Sequence, residues 1–430
     1  MRIRKGLFGV LAAAVLATAV AAQAASNASE AALPRDSARS AAAKEVSKIV
    51  MFEAGVSKEA RAEAIRQAGG RVVRDLALVG GVEAVFPPVR TRLASFSAST
   101  VEGGAEALAK GRRGVAEIEL NEEQYWLVQL SPAFGAFPAV GEFLRKGAVG
   151  APAIGQEEAK SEEAGVPWGV TRVNAQAAWG RSRGGRGVRV GVIDTGIDCS
   201  HEALKANCKS GFNTAEEGGS PADDHGHGTH VAGTIAAASP EVVGVAPESS
   251  VFPIKVLNAQ GRGTTANIIK GLEWAVENRM QIVNMSLGGG ASEALELAIR
   301  KTLEAGIVIV AASGNNPNAG VSAPGRYPGV IAVSASASDD SLAGFSSVGP
   351  EVAFIAPGQD VVSTLKGGGT GPKSGTSMAT PHVAGLAALA IAMGKQGPAA
   401  VRQALTRAAK PLEGLEGPQQ GAGMIDASRL

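Results

Sequence analysis

Among 430 residues this chain holds two cysteines, five histidines, 4% aromatics and a formal net charge of only +1. The balance of 41 basic against 40 acidic residues excludes the one-signed surface that nucleic acid or an acidic membrane would require of a partner. Sparse aromatics beside 57 glycines point to tight turns and close backbone approaches rather than to stacking platforms. Beyond the first two dozen residues no apolar run is long enough to span a bilayer. What is left is length enough for two or three ordinary domains and a large buried core.

Arg2, Arg4 and Lys5, the apolar stretch from Gly6 to Ala22 and the ending Ala22-Gln23-Ala24 together have the form of a cleavable leader. The expectation is export, to an extracellular or periplasmic space, with loss of residues 1–24; an uncleaved anchor is the alternative. In an exported chain Cys199 and Cys208, nine positions apart, read either as one local disulfide contributing about 2–3 kcal/mol or as two free thiols.

From residue 46 a compact pattern begins. Lys48 to Glu53 has the composition of a strand, Ser57 to Ala68 that of a helix capped by Ser57 and stopped by Gly69-Gly70. Arg71 to Leu78, Gly81 to Phe86 and Val115 to Leu120 read as strands and Gly103 to Ala109 as a short helix. The order β-α-β-β-α-β is that of a small α+β, ferredoxin-like unit over residues 46–128. Residues 129–165, rich in Ala, Gly, Pro and Glu, form a linker open to proteolysis.

The character changes over residues 166–430. Val188 to Ile193, Val251 to Val256, Ile282 to Met285, Ile307 to Ala311 and Val330 to Val333 are continuous apolar runs, with helical patterns at Ala266 to Asn278 and Glu293 to Glu304. This alternation predicts an α/β fold, a doubly wound and mostly parallel sheet whose ligands bind beyond the carboxyl ends of the strands.

Three segments carry chemistry there. Val192-Ile193-Asp194-Thr195-Gly196 ends a strand in a carboxylate, Gly226-His227-Gly228-Thr229-His230 opens a helix behind a glycine turn, and Ser374-Gly375-Thr376-Ser377 does the same. Alone, such an Asp is commonly a turn residue and such a Ser an N-cap. Together they supply what a weak hydroxyl nucleophile needs: an imidazole to take its proton and a carboxylate to hold the imidazole's tautomer.

The longer segments Val192 to Ile197, His227 to Thr234 and Gly375 to Gly385 resemble, in the same Asp, His, Ser order, the signatures of the subtilisin-like serine proteases. The resemblance implies a secreted serine endopeptidase with Asp194, His227 and Ser377 as its catalytic triad. It implies that Asn315, in Val310-Ala311-Ala312-Ser313-Gly314-Asn315, lines an oxyanion hole with the backbone N–H of Ser377. Gly261-Arg262-Gly263 and Ser286-Leu287-Gly288-Gly289 would be the two edges between which an extended substrate is held. Val166 to Leu430 covers the catalytic domain, with Gly421 to Ala427 resembling the usual closing segment and no further domain expected after it. Residues 46–128 more loosely resemble the family's inhibitory propeptide, so the chain's own propeptide is an expected partner beside polypeptide substrates, and the mature enzyme is expected to be a monomer with no membrane or nucleic-acid partner.

Departures from the pattern bear on metal and specificity. No cofactor is required for the chemistry. The family's strong structural calcium site would fall at Ala236 to Gly244, which is short and lacks the usual Asn, and Ala203 stands where an Asp ligand is common. That site is therefore expected to be missing, a weaker calcium site elsewhere staying open. The pocket walls, Ser286 to Gly289, Ala311 to Asn315, Ser322 and Ala323, hold no acid, which predicts cleavage after apolar or aromatic residues. Arg262 is either a solvated surface charge or a site for an acidic substrate residue. His225, His227 and His230 also have the histidine spacing of a zinc hydrolase, but Thr229 occupies the place of a required Asp and only His382 follows. His227 is thus the expected base, His230 a structural member of its helix, and His225, Asp223 and Asp224 are expected beside the substrate path. A catalytically silent binding protein on the same fold is the third possibility, against which the retention of all three triad residues and Asn315 speaks.

Overall fold

The structure, a computed structural model, describes residues 45–87, 114–127 and 165–430. The leader, the helix expected at 103–109 and the linker up to residue 164 lie outside the described residues.

Strand β1 (Val46–Phe52) leads into α1 (Lys58–Gln67), whose start is set by Ser57 Oγ accepting from the Ala60 N–H at 3.2 Å. Then come β2 (Arg71–Leu76), β3 (Gly81–Phe86), β4 (Val115–Leu120) and the short β5 (Gln124–Tyr125). β2 stops at Leu76, short of the expected Leu78, because Ala77–Val79 curl into a 3-10 turn closed by left-handed Gly80. The first four strands form an antiparallel sheet of order β2-β3-β1-β4. Alternation along β1 divides its side chains between two cores. Val50 and Phe52 pack with Ile65, Val82 and Phe86 on the α1 face, while Ile49 and Met51 join Leu76 and Val79 on the opposite face.

The remainder holds α2 (Trp168–Arg172), α3 (Gln176–Ser182), β6 (Arg189–Asp194), β7 (Phe212–Asn213), α4 (His227–Ala236), β8 (Ser250–Lys255), β9 (Arg262–Gly263), α5 (Thr265–Glu277) and β10 (Ile282–Met285). It continues through α6 (Glu293–Glu304), β11 (Val308–Ala312), β12 (Ile331–Ser336), β13 (Val352–Pro357), β14 (Val361–Thr364), β15 (Thr370–Lys373), α7 (Thr376–Ala392), α8 (Gly397–Ala408), β16 (Ala409–Lys410), α9 (Gly417–Gln420) and β17 (Met424–Ile425). Nine strands form one sheet, β16-β17-β13-β12-β11-β10-β6-β8-β7, parallel throughout except at the β16–β17 edge.

Both faces of this sheet are covered, so its strands are apolar on both sides. Val190, Val192, Val308 and Val310 face the layer that contains α7, and Ile193, Ile309 and Ala311 face the layer of α5 and α6. α7 is buried from Thr376 to Ala390, as a helix apolar all round must be. Among the described residues no single helix is long and apolar enough to cross a membrane. After β6 the chain moves to β8 on one side and later to β10 on the other, so the strand order reverses at β6, where a ligand crevice is expected. Cys199 and Cys208 are joined as a disulfide in the loop leaving β6.

Candidate active site

Asp194 ends β6 and is wholly buried. Register does the next step of assembly: Val192 lies opposite Asn284 on neighbouring β10, so the carboxyl end of β6, closed by Asp194, and the carboxyl end of β10, which leads into Ser286, lie side by side. Ser286 Oγ–H donates to the Ser377 carbonyl at 2.8 Å, and Ser377 Oγ–H donates back to the Ser286 carbonyl at 3.1 Å. The carboxylate and the hydroxyl, 183 positions apart by residue number, thus meet at the carboxyl ends of adjacent strands.

His227 is the first residue of α4, and Gly226 before it holds a φ of +99°, a conformation that a side chain would strain. The turn aims the imidazole back over the sheet edge, with Nδ1 at 2.8 and 2.9 Å from the two Asp194 oxygens. An ionised carboxylate only accepts, so Nδ1 carries the proton and Nε2 is left as the basic nitrogen. Asp194 is oriented in turn by the Thr195 N–H at 2.7 Å. The Ser377 hydroxyl donates to the Ser286 carbonyl rather than to His227.

Asn315 lies just past β11. Its Oδ1 accepts from both the N–H and the Oγ1–H of Thr376, each at 2.8 Å, which turns the amide so that Nδ2 sits beside Gly375. The N-terminal end of α7, with the Ser377 N–H, opens onto the same spot. Gly289 and Ala323 exchange backbone hydrogen bonds at 2.8 and 3.2 Å, bracing the two pocket walls against each other.

The groove expected from Gly261–Gly263 and Ser286–Gly289 is filled by the chain itself. β5 pairs antiparallel with β9, Gln124 opposite Gly263 and Tyr125 opposite Arg262. Trp126 continues the strand: its N–H donates to Gly261 at 3.1 Å, its carbonyl accepts from Gly288 at 2.9 Å, and its indole N–H donates to Gly263 at 3.0 Å. The ring is fully buried over Gly289, where any side chain would collide with it. Arg262 donates to the Glu123 carbonyl at 3.0 Å and faces the Glu123 carboxylate at 3.5 Å, so it is engaged by an acidic segment rather than simply solvated. β4 is anchored nearby. Glu119 accepts from Ser292 Oγ and the Ala294 N–H at 2.6 and 2.8 Å, and Asn121 from the Ala266 N–H at 3.0 Å, which caps the amino ends of α6 and α5. Sequence reasoning missed Trp126, Glu119 and Asn121; the apolar run Tyr125-Trp126-Leu127 after a polar stretch was the available signal.

The histidines do not converge. His225 sits edge-on to His227 with ring centres 6.4 Å apart, while His230 Nε2 turns to the Gly371 carbonyl at 3.1 Å and His382 Nδ1 to the Met378 carbonyl at 2.9 Å. Among the described residues no group of three His, Cys, Asp or Glu side chains is placed to hold a metal ion. At the turn from 236 to 244, Ala203, Ala237 and Val242 form a small apolar cluster. One expectation is corrected outright. Asp223 does not lie on the substrate path but is buried beneath the His227 loop, and Asp224 is tied to Lys255 Nζ at 2.6 Å.

Burial pushes His230 down to about 3 and His382 down to about 4, the carbonyl partners opposing only partly. Both are neutral in the folded and unfolded chain above about pH 6.5, so neither contributes pH dependence there. Below that the unfolded chain takes up protons first, and stability falls by up to about 1.4 kcal/mol per pH unit per histidine until the folded values are reached. We expect the melting temperature of the inactive Ser377→Ala chain to drop between pH 6 and 4, less steeply in a chain also carrying His382→Gln. Equal slopes would show that His382 does not contribute.

A profile of the subtilase family matches residues 185–424. The chain is 48% identical over 227 residues, 52% of its own length and 62% of the relative's, to a thermostable alkaline protease of Halalkalibacterium halodurans. It is 46% identical over 231 residues to a subtilisin of Bacillus pumilus, covering 84% of it, and 42% identical over 281 residues to an alkaline protease of Alkalihalobacillus alcalophilus, covering 73% of it and 63% of this chain. The match to the Halalkalibacterium protein thus spans about three fifths of that relative.

Proposed function

We propose that this chain, which belongs to the subtilase family, is a serine endopeptidase exported as a precursor and matured by its own active site. The observation that carries the reading is the clamp of Asp194 on His227 Nδ1, which leaves Nε2 basic at the strand end where Ser377 is held. Ser377 Oγ turns from the Ser286 carbonyl, gives its proton to His227 Nε2 and attacks the scissile carbonyl. The oxyanion is stabilised by Asn315 Nδ2 and the Ser377 N–H at the positive end of α7. His227 returns the proton to the leaving amine, and water repeats the cycle on the acyl-enzyme.

Residues 46–128 act as the inhibitory propeptide. The support is β5 and Trp126, which pair with both walls of the groove as an added strand would and so exclude substrate. Separation of this segment, by cleavage within 128–165, frees the site. Without an acid in the walls, the first pocket favours apolar or aromatic residues. Calcium is not expected at the 236–244 turn, and no metal takes part in the steps above.

Expression of the full chain tests this. Mass analysis should show loss of the leader, then of the segment before a new amino terminus between 128 and 165. The mature form should cleave peptides after Phe, Leu or Tyr at least about tenfold faster than after Arg or Lys, and a serine-directed phosphonate but no chelator should stop it. Cleavage only after Arg or Lys would sink the specificity, and inhibition by chelator alone the mechanism.

A further inference from the structure

Asp223 is a buried charge that the catalytic steps do not use. Its side chain accepts five hydrogen bonds. Oδ1 takes Thr195 Oγ1–H at 2.8 Å and the N–H groups of His225 and Gly226 at 2.9 and 2.8 Å; Oδ2 takes the Thr229 N–H and Oγ1–H at 2.9 and 2.6 Å. Thr195 follows Asp194 directly and its Oγ1 also accepts from the Gly228 N–H at 3.0 Å. One carboxylate therefore ties the residue after Asp194 to the residue before His227 and to the first turn of α4.

No ion pair reaches Asp223 among the described residues; the neighbouring Lys255 is held by Asp224, the Thr195 carbonyl and the Leu257 carbonyl. Burial works against its charge, but the Gly226 N–H, Thr229 and the His225 N–H outweigh it and hold the group below the usual carboxylate range. An asparagine could not replace it: its NH₂ would face either the three donors now on Oδ1 or the two on Oδ2. Placing an anion without an ion-pair partner in a protein interior is costly, and here it is bound to the backbone of the two residues that precede an imidazole which becomes positive in the transition state.

We infer that Asp223 is a positioning residue for His227, fixing its loop by hydrogen bonds and stabilising the imidazolium through space as a second buried anion beside Asp194. This rests on the serine endopeptidase reading of the site. The other ionisable groups around His227 leave that role open. His225 and His230 flank it on its own loop and helix, Asp224 is neutralised by Lys255 of β8, and on the β14–β15 hairpin Lys366 is exposed and Lys373 half-buried, both of the opposing sign.

The sign of the effect follows from the chemistry. His227 must be neutral to act as base, so kcat/KM falls on the acid side as it protonates, and removing a nearby anion makes it harder to protonate. Asp223→Asn in the matured enzyme is expected to lower kcat about 10- to 100-fold with KM within about twofold, and to move the acid limb about half a unit to one unit lower. Thr229→Val, which removes the Oγ1–H bond to Asp223 and the bond that Oγ1 accepts from the Asp198 N–H but keeps the charge, should lower kcat about three- to tenfold and leave the limb in place. A lower melting temperature for Asp223→Asn with an unmoved acid limb and unchanged kcat would reduce Asp223 to a structural role and overturn the inference. If Asp223→Asn does not fold, unchanged kcat in Thr229→Val overturns it as well. Phosphonate labelling of Ser377 in the parent enzyme separates the two levels. A parent that fails to label sinks the serine mechanism together with this inference, whereas normal labelling with unmoved profiles sinks the inference alone.

Discussion

The Ser377→Ala chain is expected to lose at least about 10⁴-fold in hydrolysis and to remain at its precursor mass once the leader is gone. Ser377 is buried, and its hydroxyl makes one hydrogen bond, to the Ser286 carbonyl. Removing it costs about 1 kcal/mol of stability, too little to unfold a chain of this size. Circular dichroism and melting close to the parent, together with absent turnover, would place the loss in the chemistry. Maturation of the purified variant without added protease would mean that another group performs the cleavage, and the proposed self-processing would be wrong.

Asn315→Ala carries the second large effect, a fall in turnover of about 10²- to 10³-fold, or about 3–4 kcal/mol of transition-state stabilisation, with KM nearly unchanged. The difficulty is that Asn315 also accepts two hydrogen bonds from Thr376, so alanine loosens the start of α7 as well. Asn315→Asp resolves this. It keeps the oxygen that Thr376 needs and replaces the donor by an anion facing the oxyanion, so it should be at least as inactive as the alanine variant while melting higher. An Asp variant with near-parental kcat would show that Asn315 holds Thr376 and does nothing for the reaction.

The legible part of this molecule is local. Asp194 at a strand end, His227 behind Gly226 and Ser377 at the start of α7 each depend on a turn that neighbouring residues set, so their motifs could be read without knowing the rest. The buried strands were readable for a related reason: a parallel sheet covered on both faces leaves no polar side to its strands. Glu119 was not readable, because its meaning is the amino end of α6, 175 residues away, and before folding nothing distinguishes it from Glu117 or Glu122. Trp126 shows the same limit. Its partners are Gly261, Gly263 and Gly288, glycines that signal close approach without saying what approaches.

Asp223 was misplaced for a different reason. Next to Asp224 and His225 in a polar stretch it had every mark of an exposed loop residue, and burial reversed that. With water excluded, a carboxylate persists only where donors converge, and five do so on Asp223 while its neighbour Asp224 goes to Lys255.

By itself the sequence determined which groups are available for chemistry, the turns that present them and the apolar periodicity that makes the sheet. Those properties depend on residues within one or two turns of chain. Tertiary structure alone decided that the carboxyl ends of β6 and β10 lie side by side, that the groove holds Trp126 and that Asp223 is an interior anion. Strand order and register set these, and they are fixed only when both faces of the nine-stranded sheet are buried at once.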